Sequence, residues 1–315
     1  MAETFEEVIR QNKRNSLLLA ILFSCFVIIL GAVIGASINK YQLGGEWRDG
    51  MLRGMIFAFS LTIFMLIFSY FGGAKTVLAI SHAKPIEKRD DPQLYNVVEE
   101  MSIAAGVPMP KIYIIDDTAP NAFATGKDPQ HSAIAITLGL RKKLTREELQ
   151  GVIAHEMSHI RNYDIRFAML MAVLVGVVAL LCDFFLRSIW YGGTRRSRSS
   201  SSKGNSGVGG LILLLIAILL AIIAPLVAKL IELAVSRERE YLADASAVDL
   251  TRNPIGLANA LEKIAQDKEV LEAANRATQH LYIINPIKPF EERAKTMFRT
   301  HPPVKDRIAR LRAMG

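Results

Sequence analysis

His155-Glu156-Met157-Ser158-His159 sets two imidazoles four residues apart, with a carboxylate beside the first. On a helix, positions i and i+4 share a face, so both rings can reach one zinc ion. Glu156 then points toward water on that ion rather than toward the ion itself. Zinc lowers the pKa of a bound water to about 7, and the carboxylate can take its proton as it attacks a carbonyl. In a chain of 315 residues with 6 His, about 0.006 such patterns are expected by chance. The competing reading is two histidines on a solvated helix face. A catalytic zinc of this kind needs a third protein ligand and an open position. No third His follows closely, which argues against an HExxHxxGxxH pattern. Glu240, within Ser-Arg-Glu-Arg-Glu-Tyr-Leu-Ala-Asp (236–244), is the best candidate for a His2Glu set. Asp244, one helical turn on, could accept a hydrogen bond from a ligand imidazole. The alternative for this stretch is a charged, solvated face at a membrane boundary.

The elements that must position these residues are legible nearby. Thr145-Arg146-Glu147-Glu148 has the form of a capping box, Thr as N-cap and Glu three residues on, and predicts a helix running past His159. Periodicity predicts further helices over 93–105, 236–250, 254–266 and 304–312. Residues 111–115 (KIYII) and 133–140 (AIAITLGL) read as strands. The fold expected is α+β and mainly helical, a peptidase domain with a small sheet beside the catalytic helix.

Composition adds a membrane. Hydrophobic residues are 51% of the chain against 22% charged, which excludes disorder. Four apolar segments, 16–38, 54–73, 167–186 and 208–228, each meet the roughly 20 residues that a helix needs to cross a bilayer. The alternative is that some are buried helices of a soluble core. The residues ahead of the first mix Glu3, Glu6 and Glu7 with Arg10, Lys13 and Arg14, so a retained anchor is expected rather than a cleaved signal. Cys25 and Cys182 both lie in apolar stretches and are expected to be buried packing residues, which excludes a disulfide framework. The organisation expected is a membrane region over 1–73 and a first peptidase half over 74–165. A transmembrane hairpin follows over 166–235, with a Gly/Ser/Arg linker at 192–210, and a second peptidase half over 236–315.

With HExxHxxNxD (155–164) followed by Arg-Glu-Tyr-x-Ala-Asp (239–244), the chain resembles the HtpX-type heat-shock membrane proteases, relatives of the CAAX prenyl proteases. Pro-Asn-Ala-Phe-Ala-Thr-Gly (120–126) and His-Pro-Pro (301–303) agree with that likeness, which covers most of the chain. The resemblance implies a zincin-like, gluzincin-type endopeptidase with four transmembrane helices and one zinc on the cytoplasmic side of the cell membrane. It implies His155, His159 and Glu240 as ligands and Glu156 as base, with Asp244 and Asn162 supporting them. By the same likeness, Asn121, Ala122, Phe123 and Ala124 form a strand edge that pairs with extended substrate. His301 would stabilise the oxyanion, and Arg307 would bind substrate or support the site.

Topology follows from shared ligation. Two His and a Glu on one ion must lie on one side of the membrane, so an even number of crossings separates residues 159 and 240. If the flanking helices run on unbroken, the ion sits roughly 10 Å from the hydrocarbon boundary, from a rise of about 1.5 Å per residue. Such a site suits membrane-protein substrates cut near the bilayer. Lys and Arg are abundant on the proposed inside, but Arg195, Arg196, Arg198 and Lys203 of the linker oppose its export. Asp183 and Arg187 read as an interfacial ion pair. The linker has no aromatic residue in its Arg/Ser core for base stacking, so nucleic acid is not an expected partner. Nothing in the sequence sets an oligomeric state. The competing functions are CAAX-type processing and a catalytically silent zinc-containing scaffold.

Overall fold

The computed structural model describes residues 5–41, 45–170, 237–267, 269, 271, 281–283 and 302–315. These fall into two compact units. One takes in residues 5–17, 68–170 and those from 237 onward; the other takes in residues 18–41 and 45–67.

In the second unit two helices meet, α1 (Phe5–Tyr41) and α2 (Trp47–Ile80). Both are long and apolar enough to cross a membrane. Their contact is built on small residues. A Cβ added to Gly54 would lie 2.0 Å from the Gly31 carbonyl oxygen, and one on Gly35 would lie 2.2 Å from that of Gly50. Backbones this close are what Gly-xxx-Gly spacing permits, and it occurs here as Gly31/Gly35 against Gly50/Gly54. The outward face of α2 is apolar and open: Phe57 is 71% exposed and Phe64 65%. Cys25 is exposed on α1, contrary to expectation, while Phe23 and Val27 are buried. An apolar residue in a lipid-compatible span can face outward, so an apolar neighbourhood in sequence did not mean burial within the protein. Cys182, Asp183, Arg187, the fourth apolar segment and the third beyond residue 170 lie outside the described residues.

The other unit is built around a small mixed sheet. Its strands are β1 (Lys84–Pro85), β2 (Lys111–Ile115), β3 (Ala122–Gly126) and β4 (Ser132–Thr137), in the order β1-β2-β4-β3. β2 and β4 are parallel, while β1 with β2 and β3 with β4 are antiparallel. β3 and β4 are buried on both faces, and alternation sorts the side chains. Ile134 and Ile136 join one core with Leu94, Val97 and Met157, whereas Ala133, Ala135 and Phe123 join another with Val77 and Tyr282.

β4 ends earlier than its apolar run predicts. Thr137 turns out of the strand, and its Oγ1 accepts from the Leu140 backbone N–H at 3.1 Å, opening α4 (Leu138–Lys143). A Cβ on Gly139 would lie 1.8 Å from the Thr118 carbonyl oxygen, so only glycine fits that turn. The remaining helices follow the predicted periodicity: α3 (Pro92–Ala105), α5 (Arg146–Arg161), α6 (Arg237–Thr251), α7 (Pro254–Gln266) and α8 (Val304–Arg312). α5 is central. Leu149, Val152, Ile153, Met157 and Ile160 pack with α3, β4 and α7 in the larger core. Gly151 lets α7 approach, since a Cβ there would sit 2.8 Å from the Leu257 nitrogen.

Candidate metal centre

The HExxH motif is carried on a helix whose start is fixed twice. Thr145 Oγ1 accepts from the Glu148 N–H at 3.3 Å, and Glu148 Oε2 accepts from the Thr145 N–H at 2.8 Å, the predicted capping box. Glu148 Oε2 also receives Lys263 Nζ from α7 at 2.7 Å. Ten residues along, His155 and His159 share one face. Their Nε2 atoms are 3.2 Å apart, with rings at 90°.

α6 brings the third donor. Glu240 Oε2 lies 3.6 Å from His155 Nε2, and Oε1 lies 3.8 Å from His159 Nε2. One ligand atom from each of the three residues falls within 4.8 Å of the others. Ligands held at about 2.0–2.1 Å around a tetrahedral zinc would stand about 3.3 Å apart. Each ring nitrogen has a carboxylate oxygen of Glu240 close to that spacing, and two imidazoles with a carboxylate are a donor set that zinc takes in hydrolases. The residues fit the ion that the sequence implies.

Each imidazole is held from behind by a carboxylate. His155 Nδ1 lies 3.0 Å from Asp244 Oδ1, and His159 Nδ1 lies 3.0 Å from Asp164 Oδ2. Such contacts fix the ring and leave Nε2 facing the metal position. Asp244 is where the sequence puts it, four residues after Glu240 on the same helix. Asp164 closes the HExxHxxNxD pattern, but the sequence assigned it no role. α5 ends at Arg161, Asn162 closes it, Tyr163 adopts φ 62°, and the chain is helical again from 164. On an unbroken helix, residue 164 would lie about 140° around the axis from His159; the break swings it back. The His159-to-Asp164 spacing was the available signal, and the condition for the 10 Å estimate, an unbroken helix, is not met.

Arg307, on α8, is 0% exposed. Its Nε and Nη2 donate to the two oxygens of Asp244 at 2.8 and 2.7 Å. Nη1 donates to the Ile283 carbonyl at 3.1 Å and lies 3.2 Å from Glu240 Oε2. One guanidinium thus binds a metal-ligand candidate and the carboxylate behind another.

The electrostatics follow from burial and these partners. Burial pushes the Glu156 carboxyl up, and Glu240 adds to this; His159, Arg307 and the Ala124 backbone N–H pull it back, leaving it at about 7. Burial pushes His159 down, but Asp164, Glu240 and Glu156 outweigh it and raise the ring to about 9. Burial and the Arg307 charge hold His155 below its ordinary value despite Asp244. Burial alone would raise Asp244, yet Arg307 and His155 keep it below the usual carboxylate range. The acids at His159 and Glu156 are those a cation at the three donors would displace, since metal binding and protonation compete.

The other expected site residues are placed as follows. Asn162 is buried, donates from Nδ2 to Ser158 Oγ at 3.3 Å, and finishes α5. Asn121 is buried beside β3, where its N–H donates to Thr137 Oγ1 at 3.0 Å. Ala122, Phe123 and Ala124 form most of β3, which is an edge strand. That edge has contacts already: the Ala122 carbonyl accepts from the Ile283 N–H at 3.0 Å, and the Ala124 N–H donates to Glu156. Phe123 stacks edge-to-face on Tyr282 at 5.1 Å. His301 lies outside the described residues.

Comparison with known proteins adds three kinds of likeness. Residues 88–315 match the pattern of peptidase family M48. Nearly the whole chain aligns with proteins named "Protease HtpX homolog". The one from Lactiplantibacillus plantarum is 43% identical, over 98% of this chain and 99% of its own length. That from Dictyoglomus turgidum is 44% identical, over 99% and 95%, and that from Listeria monocytogenes serotype 4a is 42% identical, over 98% and 99%. Among solved structures, the crystal structure of S. mikatae Ste24p aligns with a TM-score of 0.49 at 18% identity, over 97% of this chain and 66% of that one.

Proposed function

The chain belongs to peptidase family M48, and on that premise we propose that it is a zinc-dependent endopeptidase of the cell membrane, cutting membrane proteins near the cytoplasmic surface in protein quality control. The observation that carries the reading is the convergence of His155, His159 and Glu240, whose candidate ligand atoms fall within 4.8 Å of one another, on two helices joined by about 80 residues of chain. Near full-length likeness to proteins named as HtpX proteases supports the same activity here. Two long apolar helices, with exposed Leu and Ile side chains on the first and exposed Phe side chains on the second, support the membrane location. Four spans, with the third and fourth separating the two halves of a zincin-like domain and the zinc on the cytoplasmic side, complete the reading.

His155, His159 and Glu240 would hold the ion. Zinc bound there supplies Lewis acidity, lowering the pKa of water toward about 7 and polarising a peptide carbonyl. Glu156, buried beside these donors, is placed to accept a proton from water as its carboxylate and return it to the leaving amine. Asp244 and Asp164 keep the two rings aimed. Arg307, with no exposed surface, acts by holding Asp244 and Glu240 rather than by reaching substrate. Extended substrate would add along the β3 edge at Asn121–Ala124, displacing the Ile283 N–H from the Ala122 carbonyl. His301 would serve the oxyanion.

The test is the purified full chain and its Glu156→Gln variant, assayed on a membrane-tethered substrate and on soluble denatured protein, with zinc content measured. The reading expects cleavage that prefers the tethered substrate, and its loss in the variant with zinc retained. Unchanged behaviour of the variant would favour a silent scaffold. Strict dependence on a prenylated peptide would favour CAAX-type processing.

A further inference from the structure

The residues ahead of the first apolar run enter the sequence reading only as a charged flank, yet one of them is built into the far side of the metal centre. Asn12, on α1, is 3% exposed. Its Nδ2 donates to the Asn162 carbonyl oxygen at 2.9 Å and to Asp164 Oδ1 at 2.7 Å. A buried amide is costly unless its protons are bonded, and here both N–H groups have an acceptor. The two acceptors bracket Tyr163, whose φ of 62° is a conformation that a bulky residue takes only when its surroundings impose it. Lys13 reinforces the clamp, with Nζ 4.2 Å above the Tyr163 ring. The other oxygen of Asp164 meets His159 Nδ1 at 3.0 Å. Arg239 approaches the Asn12-bound oxygen only at 3.8 Å, beyond hydrogen-bond range.

We propose that Asn12 is a positioning residue of the metal site: by binding residues 162 and 164 together across the helix break, it sets the angle at which Asp164 holds His159. The residue acts through Asp164 and touches neither substrate nor metal. Its geometry explains how a carboxylate five residues past His159 comes back to the ring. A strained turn alone leaves that carboxylate free to rotate, whereas a donor on its second oxygen does not. The segment before the first span is then part of the active-site architecture. This inference rests on the zinc-site reading above.

The test uses the full chain carrying Glu156→Gln, so that nothing is cleaved, and measures zinc affinity by competition with a chelator. Loss of a group behind a metal ligand typically weakens binding by about 10–100-fold. Asn12 stands one bond further out, and Asn12→Ala is expected to weaken binding about 3–10-fold. Asn12→Asp, similar in size but setting a carboxylate against Asp164, is expected to weaken it more. In an Asp164→Ala background, Asn12→Ala should cause no further loss. Ser16→Ala should change nothing, because among the described residues Ser16 Oγ bonds the carbonyl of Asn12, at 2.8 Å, and neither Asn162 nor Asp164. Affinities of both Asn12 variants equal to that of the parent would overturn the proposal. So would an equal loss in the Asp164→Ala background, or a loss accompanied by unfolding of the zinc-free chain, because either assigns Asn12 to the fold alone. Absence of zinc from the Glu156→Gln parent would overturn the metal-site reading itself, and this inference with it.

Discussion

Replacing Arg307 by methionine removes a cation that the structure buries completely while leaving a side chain of comparable length. Its guanidinium makes two donor contacts to Asp244, at 2.8 and 2.7 Å, and a third approach to Glu240 at 3.2 Å. Without it, Asp244, only 3% exposed, keeps His155 Nδ1 as its remaining close partner among the contacts described above. Deleting one member of a buried ion pair strands the other charge, and such deletions cost about 3–5 kcal/mol. Methionine fills most of the vacated space, so the cavity contribution is small and the loss reports the charge. Arg307→Lys keeps the charge but not the two-pronged geometry, and is expected to lose about half as much. Denaturant unfolding of zinc-free chain in mild detergent, on the Glu156→Gln background, measures the difference. The same substitution made on top of Asp244→Leu should cost less than on its own, because Glu240 is then the one carboxylate of the two that it strands. A loss below about 1 kcal/mol for Arg307→Met, or equal losses with and without Asp244, would refute the argument that this pair holds the second wall of the site.

Further predictions concern the other supports. Asp164→Asn retains the size of the residue behind His159 but not its charge, and zinc affinity by chelator competition should fall about 10–100-fold. At Glu148, burial works to raise the pKa, but Lys263 and the Thr145 backbone outweigh it and hold the carboxyl below its ordinary value. A group lowered in the folded state stabilises above its unfolded pKa and loses that contribution as pH falls through its folded pKa. Unfolding measured between pH 7 and pH 3 should therefore show an acid-dependent loss that is reduced in Lys263→Met. Gly54→Ala sets a methyl group 2.0 Å from the Gly31 carbonyl oxygen and should destabilise the α1–α2 pair by about 1–3 kcal/mol. Thermal unfolding in detergent checks this, with Gly72→Ala, which meets only the Phe68 ring at 3.3 Å, as the milder comparison.

The parts of the site visible in sequence are those written in short-range geometry. Two His at i and i+4, a capping box one helix start earlier, and Glu240 with Asp244 one turn apart all concern single helices, whose periodicity fixes which residues share a face. The helices around them were legible for the same reason. What stayed hidden depends on breaks and on distance along the chain. Thr137 ends β4 by capping α4 inside an apolar run whose pattern gives no stop. Asp164 reaches His159 only because Tyr163 leaves the helical region, and Asn12 meets Asp164 across about 150 residues. The face on which Cys25 lies depends on how α1 and α2 pair, and that pairing is set by glycines on both helices rather than by the local sequence around it.

The central claim is that residues from α5 and α6 share one metal ion. X-ray absorption at the zinc edge, on intact Glu156→Gln chain and on the same chain with Glu240→Ala, tests it most directly. The account predicts one zinc per chain with two imidazole nitrogens and carboxylate oxygen at about 2.0–2.2 Å, and loss of both the oxygen and most of the zinc in the Glu240 variant. An unchanged zinc content and coordination spectrum after Glu240→Ala would contradict it.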